Sequence, residues 1–205
     1  DVLTAEPLRQ EINAEVSRQG GSAAHTICAP GVQAADPHQT GHGPIVCGVP
    51  IVIDIFPRSD DTGYHGDLTR TVVKGRASET VRHAFEAVRC AQEKSLNALR
   101  AGASCRRLHE DAGDILRNAG FPTDTASPLP TGFFHGLGHG LGLEVHEAPR
   151  VSATSEDVLE PGNVITIEPG VYYPEWGGIR LEDVAVITDD GYTNLTSAPI
   201  FIELS

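Results

Sequence analysis

Four acidic residues interrupt apolar, β-branched runs: Asp54 in PIVIDIF, Asp67 in GDLTRTVV, Glu168 in NVITIEPG and Glu182 in GIRLEDVAVI. A carboxylate inside a strand is costly to bury unless it is paired, hydrogen-bonded or bound to a metal. One such residue reads as a solvent contact on an edge strand or as half of a salt bridge. Four in separate strands, with a glycine- and histidine-rich segment between the second and third, read differently. That segment, HGLGHGLGLEVHE, carries His135, His139 and His146, three of the nine histidines in the chain. Glycines fall at 136, 138, 140 and 142, and each would cost a helix roughly 1 kcal/mol against alanine. The segment therefore reads as open backbone that holds imidazoles and lets main chain approach something small. If the strands converge, four carboxylates and one imidazole surround a common point. Uncompensated, those charges would repel, and a multivalent cation is their natural partner. Mostly oxygen donors with a single imidazole suit manganese, iron(II), cobalt or zinc. Four carboxylates balance about two divalent ions, and a two-metal site activates a bridging water and polarises a carbonyl. The chemistry indicated is hydrolysis.

Composition narrows the partners. The chain has 205 residues, with 28 acidic against 15 basic side chains and a net charge of −13. No basic excess exists to displace counterions, which excludes nucleic acid and anionic membrane surfaces as expected partners. No apolar run approaches a membrane span and no signal-peptide pattern opens the sequence, so the expectation is a cytoplasmic protein. Cys28, Cys47, Cys90 and Cys105 make no CxxC pair and read as scattered reduced thiols. Asn194-Leu195-Thr196 matches a glycosylation acceptor, but nothing else suggests secretion.

The elements that must position these groups follow from periodicity. Residues 4–19 read as a helix, with Thr4 as N-cap and Leu8, Ile12 and Val16 on one face, ended by Gly20-Gly21. Strands are expected at 24–29 and 50–56. A loop at 57–63 and a returning strand at 64–74 complete a hairpin. Helices are expected from Ser78 to Leu99 and over 104–119, each followed by a glycine. Residues 121–132, with Pro122, Pro128 and Pro130, read as loop. Further strands are expected at 143–148, 163–173 and 178–188. Helices and mostly antiparallel strands in segregated blocks give an α+β fold.

The strings IDIFPRSDDTGYHGDLTRT, HGLGHGLGLEVHEAPR, LEPGNVITIEPGVYY and GGIRLEDVAVIT together resemble the pita-bread metallopeptidases, in particular the Xaa-Pro aminopeptidase and prolidase branch. The resemblance runs from about Leu3 to Ile200. It implies the pita-bread (creatinase/aminopeptidase) fold, two pseudo-symmetric halves of antiparallel strands covered by helices. It further implies two divalent ions, with manganese first and cobalt, zinc or iron as alternatives. The implied ligands are Asp54, Asp67, His139, Glu168 and Glu182, with Asp67 and Glu182 bridging and Glu168 also carrying the proton. His135 and His146 fall on positions that meet the substrate and stabilise the tetrahedral intermediate. His38, Arg150 and Arg180 fall on further substrate-site positions, Arg180 also orienting Glu182. The implied reaction is removal of an N-terminal residue that precedes proline, from small peptides or dipeptides. A methionine aminopeptidase is the alternative enzyme, disfavoured because Arg180-Leu181-Glu182-Asp183 stands where that branch carries a Gln-x-Glu-His ending. A non-enzymatic pita-bread binding module is the alternative of another class. The expected organisation is one catalytic domain over 1–205, without the N-terminal creatinase-like domain that precedes it in typical relatives, and a homodimer is left open. The 54-to-67 interval is longer than the family's common spacing, and the PRSDDTG loop is expected to absorb it. His25, His65, His83 and His109 read as ordinary surface or helix histidines.

Overall fold

The computed structural model describes residues 3–204, so the ends of the expected 1–205 domain lie outside the described residues. Helix α1 (Ala5–Arg18) leads through β1 (Gly21–Ser22), β2 (Ile27–Pro30) and a 3-10 turn (Gly31–Ala35) to β3 (Pro50–Ile55). After β4 (Arg58–Ser59) and β5 (Leu68–Lys74) come α2 (Glu79–Asn97) and α3 (Cys105–Asn118). The second half holds β6 (Gly138–Gly140), β7 (Glu147–Val151), β8 (Val164–Ile167) and β9 (Gly170–Tyr173). It ends with β10 (Gly177–Arg180), β11 (Asp183–Ile187), β12 (Tyr192–Asn194) and β13 (Glu203–Leu204). Ser78 and Ser104 cap α2 and α3, each accepting from a backbone N–H three residues on. Thr4 precedes α1 in extended conformation, without a side-chain cap bond.

Two sheets carry the architecture. One runs β13-β5-β3-β2 and the other β12-β11-β8-β6-β7, antiparallel except for the β13–β5 pair. The main core lies where Phe85, Val88 and Leu96 of α2 and Leu108 and Leu116 of α3 meet Ile165, Ile167 and Ile187 of the second sheet. Leu8 of α1 packs on Ile45, Ile51 and Val72 over the first sheet.

Beyond the later start of the strand expected at 64–74, which begins at Leu68 and leaves Asp67 just before it, three strand expectations change. The runs 163–173 and 178–188 are not continuous strands. Each breaks in the middle, giving β8 then β9, and β10 then β11. β8 and β11 pair in the five-stranded sheet, whereas β9 and β10 pair with each other as a separate ribbon. That ribbon is fastened to β5 by Thr71, whose hydroxyl accepts from the Arg180 N–H at 2.9 Å and donates to its carbonyl at 2.9 Å. The breaks fall at Glu168-Pro169 and Leu181-Glu182, because Pro169 has no N–H for a ladder and the chain must pass from sheet to ribbon. The third change is at 143–148. Residues 141–146 are irregular and the strand starts at Glu147. The 57–66 loop closes on itself through Gly66 N–H to the Pro57 carbonyl and pairs β4 with β1, which accommodates the long 54-to-67 interval.

Candidate metal centre

Two glycines of HGLGHGLG serve the sheet by close packing. A Cβ on Gly138 would overlap the Thr166 carbonyl, and one on Gly140 the Ala148 carbonyl. Both hold β6 tightly between β8 and β7, and Gly136 and Gly138 also line the cavity that carries the expected ligands. What reaches the site from β6 is the side chain of His139, which is buried. Its Nδ1 lies 3.0 Å from the Gly140 carbonyl. A carbonyl only accepts, so Nδ1 carries the proton, and in the neutral ring Nε2 keeps its lone pair.

That lone pair faces carboxylates. Nε2 is 3.3 Å from Glu168 Oε1 and 3.8 Å from Asp67 Oδ2. Ligand atoms of Asp67, His139 and Glu182 lie within 4.8 Å of one another. Asp54, from β3, and Asp67, just before β5, are both 8% exposed, and Glu182 is 2% exposed. The two strand breaks present the glutamates, since a residue at a break is released from the ladder and its side chain can turn inward. The sequence thus brings together on one cavity all five expected ligand residues.

The electrostatics are one-sided. Burial, with the Asp54 and Glu168 carboxylates beside it, pushes Asp67 up to about 8. Burial and the Asp67, Glu168 and Asp54 carboxylates raise Glu182 well above the usual carboxylate range, although Thr69 donates to its Oε2 at 2.7 Å. Asp54 is also raised by burial despite the Arg180 guanidinium 2.7 Å away. For Glu168 burial is outweighed by His139, which donates through Nε2 when its ring is protonated, and by the nearby Arg180 charge, which hold it below the ordinary value. Among the described residues Asp54 Oδ1 is buried without a hydrogen-bond partner. Four carboxylates, an unpartnered oxygen and an imidazole lone pair facing inward suit a divalent cation, which would remove the cost of ionising them.

Behind the carboxylates lies a buried hydrogen-bond chain in which sequence reading named Arg180 and His135 but missed Tyr172 and Thr69, and Arg180, expected to orient Glu182, reaches it through Thr69. Arg180 donates through Nη2 to Asp54, through Nε to Thr69 Oγ1 at 3.2 Å and through Nη1 to Tyr172 Oη at 2.9 Å. Tyr172 Oη lies 2.8 Å from His135 Nε2. His135 Nδ1–H donates a hydrogen bond to the Gly136 carbonyl at 2.7 Å, so Nε2 accepts from the tyrosine. Burial lowers His135 to about 4 and raises Tyr172 to about 12. The only available signals were a hydroxyl-bearing residue in an apolar strand, Tyr172 in GVYY, and Thr69 two places after Asp67.

The cavity in front has a volume of about 630 Å³. His38, His146 and Arg150 line it and are exposed. The His146 ring stands edge-on to His139, centroids 4.3 Å apart. Its pKa is lowered by burial and by the nearby His139, Arg150 and His38. Arg150 is cross-strand from His139 on β7. His25, read from the sequence as an ordinary surface or helix histidine, also lines the cavity, as does Phe56. His65, His83 and His109 do not line it.

Residues 3–189 match the model of metallopeptidase family M24. The chain belongs to that family. It is 40% identical over 172 residues to the Xaa-Pro dipeptidase of Pyrococcus furiosus, covering 83% of this chain and 47% of the relative. It is 35% identical over 175 residues to that of Lactobacillus delbrueckii subsp. lactis, covering 83% and 44%. Among solved structures, the prolidase of Pyrococcus horikoshii superposes with a TM-score of 0.89 at 34% identity, over 98% of this chain and 56% of that one. Escherichia coli aminopeptidase P in complex with substrate gives 0.83 at 28% identity, over 96% and 49%. This M24 chain spans about half the length of the curated relatives it matches, and its fold is the pita-bread fold. Among the described residues no helix is long and apolar enough to cross a membrane.

Proposed function

We propose that this M24 chain is the catalytic part of a metal-dependent exopeptidase that cleaves the bond between an N-terminal residue and proline. The observation that carries the reading is the buried cluster of Asp67, His139 and Glu182 ligand atoms within 4.8 Å of one another, with Asp54 and Glu168 on the same cavity. The relatives named Xaa-Pro dipeptidase and prolidase support the substrate class. The five residues would hold two divalent ions, manganese first and cobalt, zinc or iron(II) as substitutes. Bound there, such ions supply an activated water and polarise the scissile carbonyl.

The chain's own groups do the rest. Glu168 is held below the ordinary carboxylate value, so its carboxylate can take a proton from the attacking water and pass it to the leaving proline nitrogen. Arg180 fixes Asp54, and through Tyr172 it fixes the neutral His135 ring that walls the cavity. His146 and His38 stand at the open side as hydrogen-bonding groups for the peptide. Arg150 offers a guanidinium for a substrate carboxylate. All four cysteines are free, in keeping with work in a reducing compartment such as the cytoplasm.

The test is metal content per chain after manganese or cobalt loading, on wild type and Asp67→Ala, followed by a peptide panel. About two ions in wild type, fewer in the variant, and release of the first residue only before proline is the expected result. A folded protein that takes up no ion, or that cleaves without regard to proline, would end this reading.

A further inference from the structure

Arg70 lies on β5, three places after Asp67. A guanidinium carries five N–H groups, and here all five are engaged. Nη1 donates to the Thr69 carbonyl at 2.9 Å and to the Glu182 carbonyl at 2.7 Å. Nη2 donates to Asp183 Oδ1 and to the Ala198 carbonyl, both at 2.8 Å, and Nε to the Pro199 carbonyl at 3.2 Å. The ion pair with Asp183 is nearly closed to solvent, its side chains 12% and 6% exposed. One side chain thus fastens three stretches at a point: β5 of the first sheet, the break at Leu181-Glu182, and the segment after β12.

That last segment has a lock of its own. The Asn194 amide donates to Asp183 Oδ2 at 2.8 Å, so both oxygens of that carboxylate are bonded. Asn194 Oδ1 accepts from the Thr196 N–H, and Thr196 Oγ1 from the Val184 N–H, each at 2.9 Å. The Leu195 N–H reaches the Val184 carbonyl at 2.8 Å. The triplet that matches a glycosylation acceptor is therefore a clip on β11, with its amide nitrogen engaged by the protein. Ala198 and Pro199, which the clip delivers to Arg70, lie beyond residue 189, where the family match ends.

Glu182 sits at a strand break, so its main chain needs other anchors. Its N–H reaches the Thr69 carbonyl at 3.0 Å and its carbonyl ends on Arg70. We propose that Arg70 and the Asn194–Pro199 clip are positioning elements for Glu182, fixing its main chain from behind so that its carboxylate meets the metal ions already in place. This rests on the two-ion reading above and deepens it. Geometry is the requirement, not charge alone. Four carbonyls and a carboxylate around one side chain need donors in a planar fork, which an ammonium cannot supply.

Manganese binding can be read without turnover, from the electron paramagnetic resonance signal of the free ion. Wild type, Arg70→Lys, Asn194→Ala and Arg82→Ala would be titrated with manganese below their melting temperatures in chelator. Arg82, in an exposed pair with Glu203, is the control. Arg70→Lys should bind manganese about 10–100-fold more weakly, the usual effect of losing a group that orients a ligand. Asn194→Ala, which loosens Asp183 alone, should lose less, and Arg82→Ala should bind as wild type does. On Ala-Pro, kcat of Arg70→Lys should fall at limiting manganese and recover at saturating manganese, with KM unchanged. A lowered melting temperature with manganese affinity intact would make Arg70 a purely structural residue and overturn the proposal. A kcat loss that saturating manganese does not repair overturns it as well. If Arg70→Lys does not fold, Asn194→Ala decides, and an affinity equal to that of Arg82→Ala ends the positioning role. Two ions in wild type, bound equally well by both variants, remove that role and leave the metal centre standing. No ion in wild type removes the two-ion reading itself, and the proposal with it.

Discussion

Asp54 and Arg180 are 126 positions apart and form a 2.7 Å ion pair in which both side chains are nearly excluded from solvent. Asp54 comes from the first sheet and Arg180 from the β9–β10 ribbon, so the pair joins the two halves of the fold at the site. It also divides the carboxylate's labour, since Oδ2 is taken by the guanidinium and Oδ1 is left buried without a hydrogen-bond partner.

Arg180→Ala should therefore be among the most damaging single substitutions in the molecule. It strands a buried carboxylate, leaves Tyr172 Oη and Thr69 Oγ1 without their donor, and empties volume between the sheets. Removing one partner of a buried ion pair costs on the order of 3–5 kcal/mol. Arg180→Lys keeps the charge but not the fork that reaches three acceptors, and should fall between. Thermal unfolding in chelator checks this ranking, and equal melting points for the three proteins would contradict it.

Tyr172→Phe isolates the other end of the chain. The ring stays in its core site, but His135 Nε2 loses its donor and Arg180 Nη1 its acceptor. Leaving buried polar groups unsatisfied costs about 1–3 kcal/mol each. The variant should fold, melt several degrees lower, and lose kcat more than it gains KM, because the freed His135 ring no longer presents a fixed wall. Unaltered stability and kinetics would show that the hydroxyl holds nothing.

Gly138→Ala tests the reading of the glycine segment as strand packing. A methyl there meets the Thr166 carbonyl, which is fixed in β8 and cannot move aside. The expected outcome is a loss of several kcal/mol or failure to fold. Gly191→Ala is the control: a Cβ at Gly191 meets nothing within 4 Å, so its stability should stay within about 0.5 kcal/mol of wild type. Urea denaturation of the two variants compares them directly, and similar midpoints would refute the packing role.

These contrasts show what the sequence could and could not display. Acidic residues in apolar strands are visible because burial makes them costly wherever they sit. Asp54, Asp67, Glu168 and Glu182 therefore announced themselves, and they share one cavity with His139. Strand breaks at Glu168-Pro169 and Leu181-Glu182 were hidden within long β-branched runs, because periodicity reports which residues favour a strand and not which sheet receives them. The purpose of the alternating glycines depended on β7 and β8, distant in sequence and unpaired until the fold forms. Tyr172 showed only as a hydroxyl in an apolar strand, and its role was hidden for the same reason, as its partners His135 and Arg180 come from other elements. His25 and Phe56 carry no pattern at all; only the meeting of β2 and β3 places them at the cavity.

The charge imbalance of the site makes a prediction about pH in the absence of metal. Folded Asp67 ionises near 8, against 3.8 for its ordinary value, and Glu182 is raised as well. Across that interval the folded chain keeps protons that the unfolded chain has released. Stability is then fully present below the unfolded value and is lost as pH rises toward 8. His139, also raised, acts in the same direction. His135, lowered to about 4, acts oppositely, but its contribution is complete by about pH 6.5, where the unfolded ring has also lost its proton. Between pH 6.5 and 8 the carboxylates decide the sign, at up to about 1.4 kcal/mol per pH unit for each retained proton. Melting temperatures measured in chelator should fall across this range, and Asp67→Asn should flatten the fall. Manganese should raise the melting temperature more at pH 8 than at 6.5, since ligand groups must lose their protons to bind it. A melting temperature that rises with pH in chelator, or a manganese effect larger at the lower pH, would show that these carboxylates are not the crowded, proton-holding set the geometry describes.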